Sequence, residues 1–199
     1  MQEIKNISTY KQGLYDKIVM TAMRAFAQKG IRGVKMDDIA AQLSISKRTL
    51  YELFENKEVL LFEGVKKYHE LVDERLRQIS EECENVMEII LKVYRMKVEE
   101  FRSTSPQFYS DIVKYPDVMA FLAKEGKKTQ TRHLSFLKRG VDEGFFRKDI
   151  NMELVGKMFE AQGQYIMQHK LYKQFDIEDI FNNLTSRSEE RFSRNAETD

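Results

Sequence analysis

The segment from Met36 to Glu58 leaves this chain little choice of fold. Its apolar residues recur at spacings of three and four: Met36, Ile39, Ala40 and Leu43, then Leu50, Leu53 and Phe54, with Ser44-Ile45-Ser46 between the two sets. That spacing predicts two short amphipathic helices joined by a tight turn. Helices of two turns are not stable alone, so each must lay its apolar face on a larger helical core. The same spacing continues along the chain, which has two prolines, nine glycines and little strand-like alternation. The expected fold class is therefore all-α.

The periodicity predicts the other helices as well. The first runs from about Leu14 to Lys29 with Ile18, Val19, Ala22, Met23 and Phe26 inward, and stops at Gly30. A long one follows Asn56 and uses Leu60, Leu61, Val65, Tyr68, Val72, Leu76 and Ile79. Another spans about Val86 to Phe101. Ser105-Pro106 and Tyr115-Pro116 each put proline where a helix begins, and the second of these helices should end between Gly140 and Gly144. Asn151 is expected to cap a helix with Val155, Met158, Phe159, Gln162 and Ile166 inward. Asp176 opens a last one with Ile177, Ile180, Phe181 and Leu184. The polar tail from Ser186 is expected to fray.

Composition narrows the function. Net charge is only +1, yet residues 1–66 hold 11 Lys+Arg against 8 Asp+Glu while residues 67–199 hold 22 against 24. The mild excess of positive charge lies at the end where phosphates would be met. Cys83 is the single cysteine, and Glu81, Glu82 and Glu84 beside it disfavour a thiolate, which argues against a redox role. No Cys/His cluster has metal spacing, so neither metal nor cofactor is expected. His69, His133 and His169 stand apart from one another. With no nucleophile motif, phosphate loop or acid/base pair, an enzyme is not expected. The start lacks the apolar run of a signal peptide and no segment approaches about 20 apolar residues, so the expectation is a cytoplasmic protein with no membrane contact.

On a wheel of 100° per residue, the helix after Ser46 separates its residues by role. Leu50, Leu53 and Phe54 share one arc, and Lys47, Arg48, Tyr51 and Glu52 the other. Ser46 stands at the N-cap position, and its hydroxyl and the free N–H groups behind it can face a phosphate. Lys47 and Arg48 fall in the first turn, the part of a recognition helix that reaches base edges. Arginine there can grip guanine with two hydrogen bonds. Thr49 and Tyr51 are read as phosphate partners through their hydroxyls. Asn56 caps the next helix start, and Lys57 adds a cation there, a second phosphate anchor. The alternative from spacing alone is a helical hairpin with a solvated basic face; the competing functions are a helical adaptor that uses the basic helix to bind protein and, as the weaker one, an all-helical enzyme.

These residues resemble the DNA-binding domain of TetR-type transcriptional regulators. The likeness is carried by Gly30, Asp38-Ile39-Ala40, Ile45-Ser46-Lys47, Thr49-Leu50-Tyr51, Phe54 and Lys57-Glu58-Val59-Leu60, and covers about Tyr15 to Phe62. It implies a three-helix DNA-binding domain with a helix-turn-helix, residues 1–56, then a larger helical ligand-binding and dimerisation domain, residues 57–199. Three positions depart from the pattern. Ser44 occupies a turn position where glycine is usual, and must take a strained conformation if the turn is unchanged. Arg48 replaces a small residue and enlarges the reading surface. Lys35 replaces the usual Thr or Ser before the second helix, losing a cap but adding a candidate phosphate contact.

The resemblance further implies a homodimer on a palindromic double-stranded DNA operator, a repressor released by a small-molecule effector. The expected dimer face comprises Met158, Phe159, Gln162, Tyr165, Ile166, Ile180 and Phe181, with Ala161 and Gly163 small enough for close helix approach. Tyr94, Phe101, Phe108, Tyr115, Met119 and Phe136 are candidates to line an apolar effector pocket, and the opposing reading makes them plain core.

Overall fold

In the computed structural model the described residues are 2–149, together with 151, 153–155, 157, 158, 161, 165, 169, 171, 174 and 175. Seven helices fill the continuous part: α1 (Gln2–Lys29), α2 (Met36–Gln42), α3 (Lys47–Leu53), α4 (Lys57–Glu82), α5 (Val86–Ser103), α6 (Pro106–Ile112) and α7 (Pro116–Asp142). No strand occurs among the described residues. The all-α class and the order of elements follow the periodicity. Most boundaries fall within two residues of expectation.

The exception is α1, which begins at Gln2 rather than near Leu14. Gly13 lies inside it with open space around its α-carbon, at a propensity loss of about 1 kcal/mol relative to alanine. Local signals explain the other starts. Ser46, Asn56, Asn85 and Ser105 each accept a backbone N–H from the first turn of their helix, and Pro106 and Pro116 sit at the first helical positions. At the Asn151 start, the Leu154 N–H donates to Asn151 Oδ1 at 2.9 Å. The helix expected from Asp176 lies outside the described residues.

The main core is built on α1. Ile18, Val19, Ala22 and Phe26 are buried with Ile31, Val34, Ile39, Leu50, Phe54, Leu60, Leu61 and Val65. Leu50 of α3 and Phe54 at its C-cap therefore reach the same core as the start of α4. Phe108 of α6 and Val118 of α7 join it. The boundary expected between residues 56 and 57 falls at a turn, but one apolar core runs across it. At the α1–α4 crossing, a β-carbon on Gly64 would meet Met23 Cγ and Sδ at 2.5 Å, so any larger residue there would force the Met23 side chain to move. A second, smaller cluster holds Ile79, Cys83 and Ile89 with Val93, Met96 and Phe136 against it. Tyr68, expected inward, is instead more than a third exposed.

Two polar joints fix the remaining geometry. Arg139 donates to the Ser80, Cys83 and Glu84 carbonyls, closing the C-terminal end of α4, while Glu143 accepts the Val86 N–H and pairs with Arg139. At the other end, the Ser105 N–H donates to the Ala27 carbonyl at 2.7 Å and ties the start of α6 to α1.

Candidate nucleic-acid interface

The turn between α2 and α3 passes through Ser44 at φ +53°, the only positive φ at a non-glycine among the described residues. The expectation from the sequence is met: serine accepts the left-handed conformation that glycine would adopt freely. Ser46 then caps α3, its hydroxyl oxygen 3.0 Å from the Thr49 N–H and 2.8 Å from the Thr49 hydroxyl. Leu50 is fully buried and Phe54 nearly so, which clamps α3 by its inner arc. On the outer arc the side chains of Lys47 and Arg48 are 66% and 88% exposed, and Tyr51 is exposed too.

Both cations carry a local carboxylate partner that the wheel alone did not assign. The Lys47 ammonium donates to Asp37 in the first turn of α2, joining the two helices across the turn. Hydrogen bonding to Asp37 raises the Lys47 pKa, and Asp37's charge adds to the effect. Arg48 donates from Nε to Glu52 Oε1 at 2.8 Å, one turn along α3. The second pairing was legible as an i, i+4 pair of opposite charge. The first depends on the helix crossing and has no signature in spacing. Exposed pairs of this kind contribute little to stability, so the carboxylates leave both cations available to DNA.

Lys35 stands exposed at the N-cap of α2 and makes no side-chain cap, as expected. The loss is partly offset from within the helix: Asp38 accepts the Lys35 N–H at 2.9 Å. Lys57 departs from the expected free anchor. Its ammonium donates to the Ile31 and Val34 carbonyls, both at 3.0 Å, and the side chain is half-buried. Two of its three N–H groups thus brace the α1–α2 loop, and a phosphate would meet the third or displace a carbonyl.

That loop is also held from α6. Asp111 is fully buried, and its carboxylate accepts the Arg32 N–H at 3.0 Å and Gln107 Nε2 at 2.9 Å, with Lys114 Nζ at 3.5 Å. Burial alone would push its pKa up. The Arg32 N–H, Gln107 and Lys114 more than offset this and hold it below the usual carboxylate value. Gly30 makes the approach possible: at φ +77° it carries no β-carbon where one would lie 2.4 Å from Gln107 Cγ. A buried aspartate with no marker in the periodicity was not foreseen.

The five pocket candidates whose side chains are described do not gather in one place. Phe108 and Tyr115 belong to the main core and Phe136 to the second cluster, while Phe101 lies 5.5 Å from the Tyr109 ring and Met119 is exposed. The Tyr94 side chain lies outside the described residues. Of the expected dimer face, Met158 and Tyr165 are described and are 62% and 56% exposed. Phe159, Gln162, Ile166, Ile180 and Phe181 lie outside the described residues. No helix among the described residues is long and apolar enough to cross a membrane.

Known proteins share this arrangement. Residues 18–63 match the family model of bacterial regulatory proteins, tetR family. The chain is 24% identical over 148 residues to the HTH-type transcriptional repressor KstR2 of Mycobacterium tuberculosis, covering 70% of this chain and 72% of that protein. Its fold is similar to a TetR-family regulator of Agrobacterium tumefaciens (TM-score 0.68, 14% identity, 91% of this chain and 98% of that one). It is also similar to the fatty acid degradation regulator FadR of Bacillus halodurans (TM-score 0.60, 18% identity, 80% of this chain and 85% of that one). With α3 capped and facing outward, residues 18–63 carry the DNA-binding domain described for bacterial regulatory proteins of the tetR family, and the chain as a whole is similar to transcriptional regulators of that kind.

Proposed function

We propose that the protein is an effector-responsive repressor that binds a palindromic operator as a homodimer. One observation carries the reading: α3 is clamped by Leu50 and Phe54 on its inner arc while Lys47, Arg48 and Tyr51 stand exposed on its outer arc. Lys47 and Arg48 address base edges, and Lys35, Ser46, Thr49, Tyr51 and Lys57 address phosphates. Residues 1–56 carry DNA binding and residues 57–199 carry effector binding and dimerisation. The working compartment is the cytoplasm, where the operator lies.

Dimerisation through the C-terminal helices is supported by Leu154, Met158, Tyr165 and Phe175, which a single chain leaves more than half exposed. A two-fold dimer places its recognition helices about 34–36 Å apart, one turn of DNA. The effector is a small apolar or amphipathic molecule held among the aromatic and methionine side chains of α5 to α7, a class that suits the similarity to a fatty acid degradation regulator. Its signal has a short route. A shift of α6 moves Asp111, and with it Arg32 and the loop that leads into α2.

The test is titration of the protein against DNA flanking its own gene and against unrelated DNA at several salt concentrations. Preference for the flanking DNA, removed by Arg48→Ala, is expected, whereas Lys35→Ala should weaken all sequences alike and reduce the salt slope by about one. Equal binding to every sequence, unchanged by Arg48→Ala, would sink base reading by α3.

A further inference from the structure

We propose that Glu52 is a positioning residue for base reading: by holding Arg48 at Nε it aims the two terminal nitrogens of the guanidinium at one guanine. The proposal rests on the regulator reading above and adds a residue to it. Arg48 and Glu52 lie one turn apart on the outer arc of α3, 88% and 61% exposed, with Nε 2.8 Å from Oε1. Among the described residues nothing accepts from Arg48 Nη1 or Nη2. The bond thus occupies the one N–H that an end-on grip of guanine O6 and N7 does not need, and leaves the fork that it does need.

The contrast with Lys47 is instructive. Asp37 takes one of the three N–H groups on its single nitrogen, so a DNA group must share that same atom with the carboxylate. Arg48 reaches a base with its partner still in place. An exposed i, i+4 pair stabilises a short helix only slightly, so stability is a poor account of why a carboxylate stands on the DNA-facing arc. Fixing a long side chain before binding is a better one, because rotamer freedom already lost is not lost again at the interface. The charge of Glu52 has a second consequence. It repels phosphates wherever α3 docks without a guanine in register, which weakens attachment to unrelated DNA.

Two substitutions separate these effects. Glu52→Gln keeps an oxygen for Nε but drops the charge, and Glu52→Ala drops both. The full chain of each, of Arg48→Ala and of the double variant is competed between an operator selected from random DNA and the same operator with the Arg48-dependent guanine replaced. Wild type should favour the guanine by about 5- to 150-fold. Glu52→Ala should reduce that ratio by about tenfold. Glu52→Gln should keep most of the ratio while binding unrelated DNA more tightly. In the Arg48→Ala background, Glu52→Ala should change the ratio no further. A wild-type ratio retained by Glu52→Ala, or an equal loss when Arg48 is absent, overturns the proposal. A wild type that favours operator over unrelated DNA at no guanine that Arg48→Ala affects also overturns it and leaves the regulator reading standing. A wild type with no preference among sequences overturns that reading itself.

Discussion

Single side chains in this protein are placed by bonds that the sequence shows unevenly. Ser44 is the legible case: a non-glycine at a turn that needs a left-handed residue, found at φ +53°. Ser44→Gly should relieve about 1 kcal/mol of backbone strain and raise the melting temperature without altering the outer arc of α3. Lys57 is the opposite case. Its position at a helix start suggests an anion, but the folded chain supplies two carbonyls from a loop more than twenty residues away. Lys57→Met should therefore lower stability by about 1–3 kcal/mol in denaturant melts without DNA, because the Ile31 and Val34 carbonyls lose their donor. A variant as stable as wild type would show that Lys57 braces nothing.

At the scale of elements, sequence and structure agree best where a local signal decides. Helix starts at Ser46, Asn56, Ser105 and Asn151 were legible because a cap is a contact within four residues. Ser46→Ala should cost about 1 kcal/mol and fray the first turn of α3, weakening DNA binding more than its stability loss alone accounts for. Leu50→Ala should cost about 2–5 kcal/mol, read by thermal denaturation, since it empties a fully buried site in the main core. Contacts between elements were less legible. The Lys47–Asp37 bridge, the Asp111 joint and the division of Phe108 and Phe136 between two clusters all depend on how helices cross, and helical spacing fixes only which face turns inward. The family resemblance located the candidate interface; of the carboxylates beside its cations, Glu52 was legible as an i, i+4 partner and Asp37 came from the folded chain.

At the scale of the whole molecule, the helix-turn-helix and the helices that follow it share their packing. One apolar core joins α1, α2 and α3 to α4, α6 and the start of α7, and Asp111 is the buried charge within it. Because the native-state pKa of Asp111 lies below its ordinary value, its contribution is present in full above that ordinary value and is lost as pH falls from there through the lowered one. Stability should therefore hold at neutral pH and drop in the acid range. Asp111→Asn should flatten that part of the curve and loosen the tie between α6 and the α1–α2 loop, and a curve unchanged by Asp111→Asn would contradict the joint. The central claim, that α3 reads sequence on two symmetric half-sites, is tested most directly by selecting bound DNA from a random pool. The account predicts an inverted repeat with half-site centres about 10 base pairs apart, or a multiple of that, and a guanine in each half that Arg48→Ala no longer selects. A pool with no enriched repeat, or the same repeat and guanine from Arg48→Ala, would contradict it.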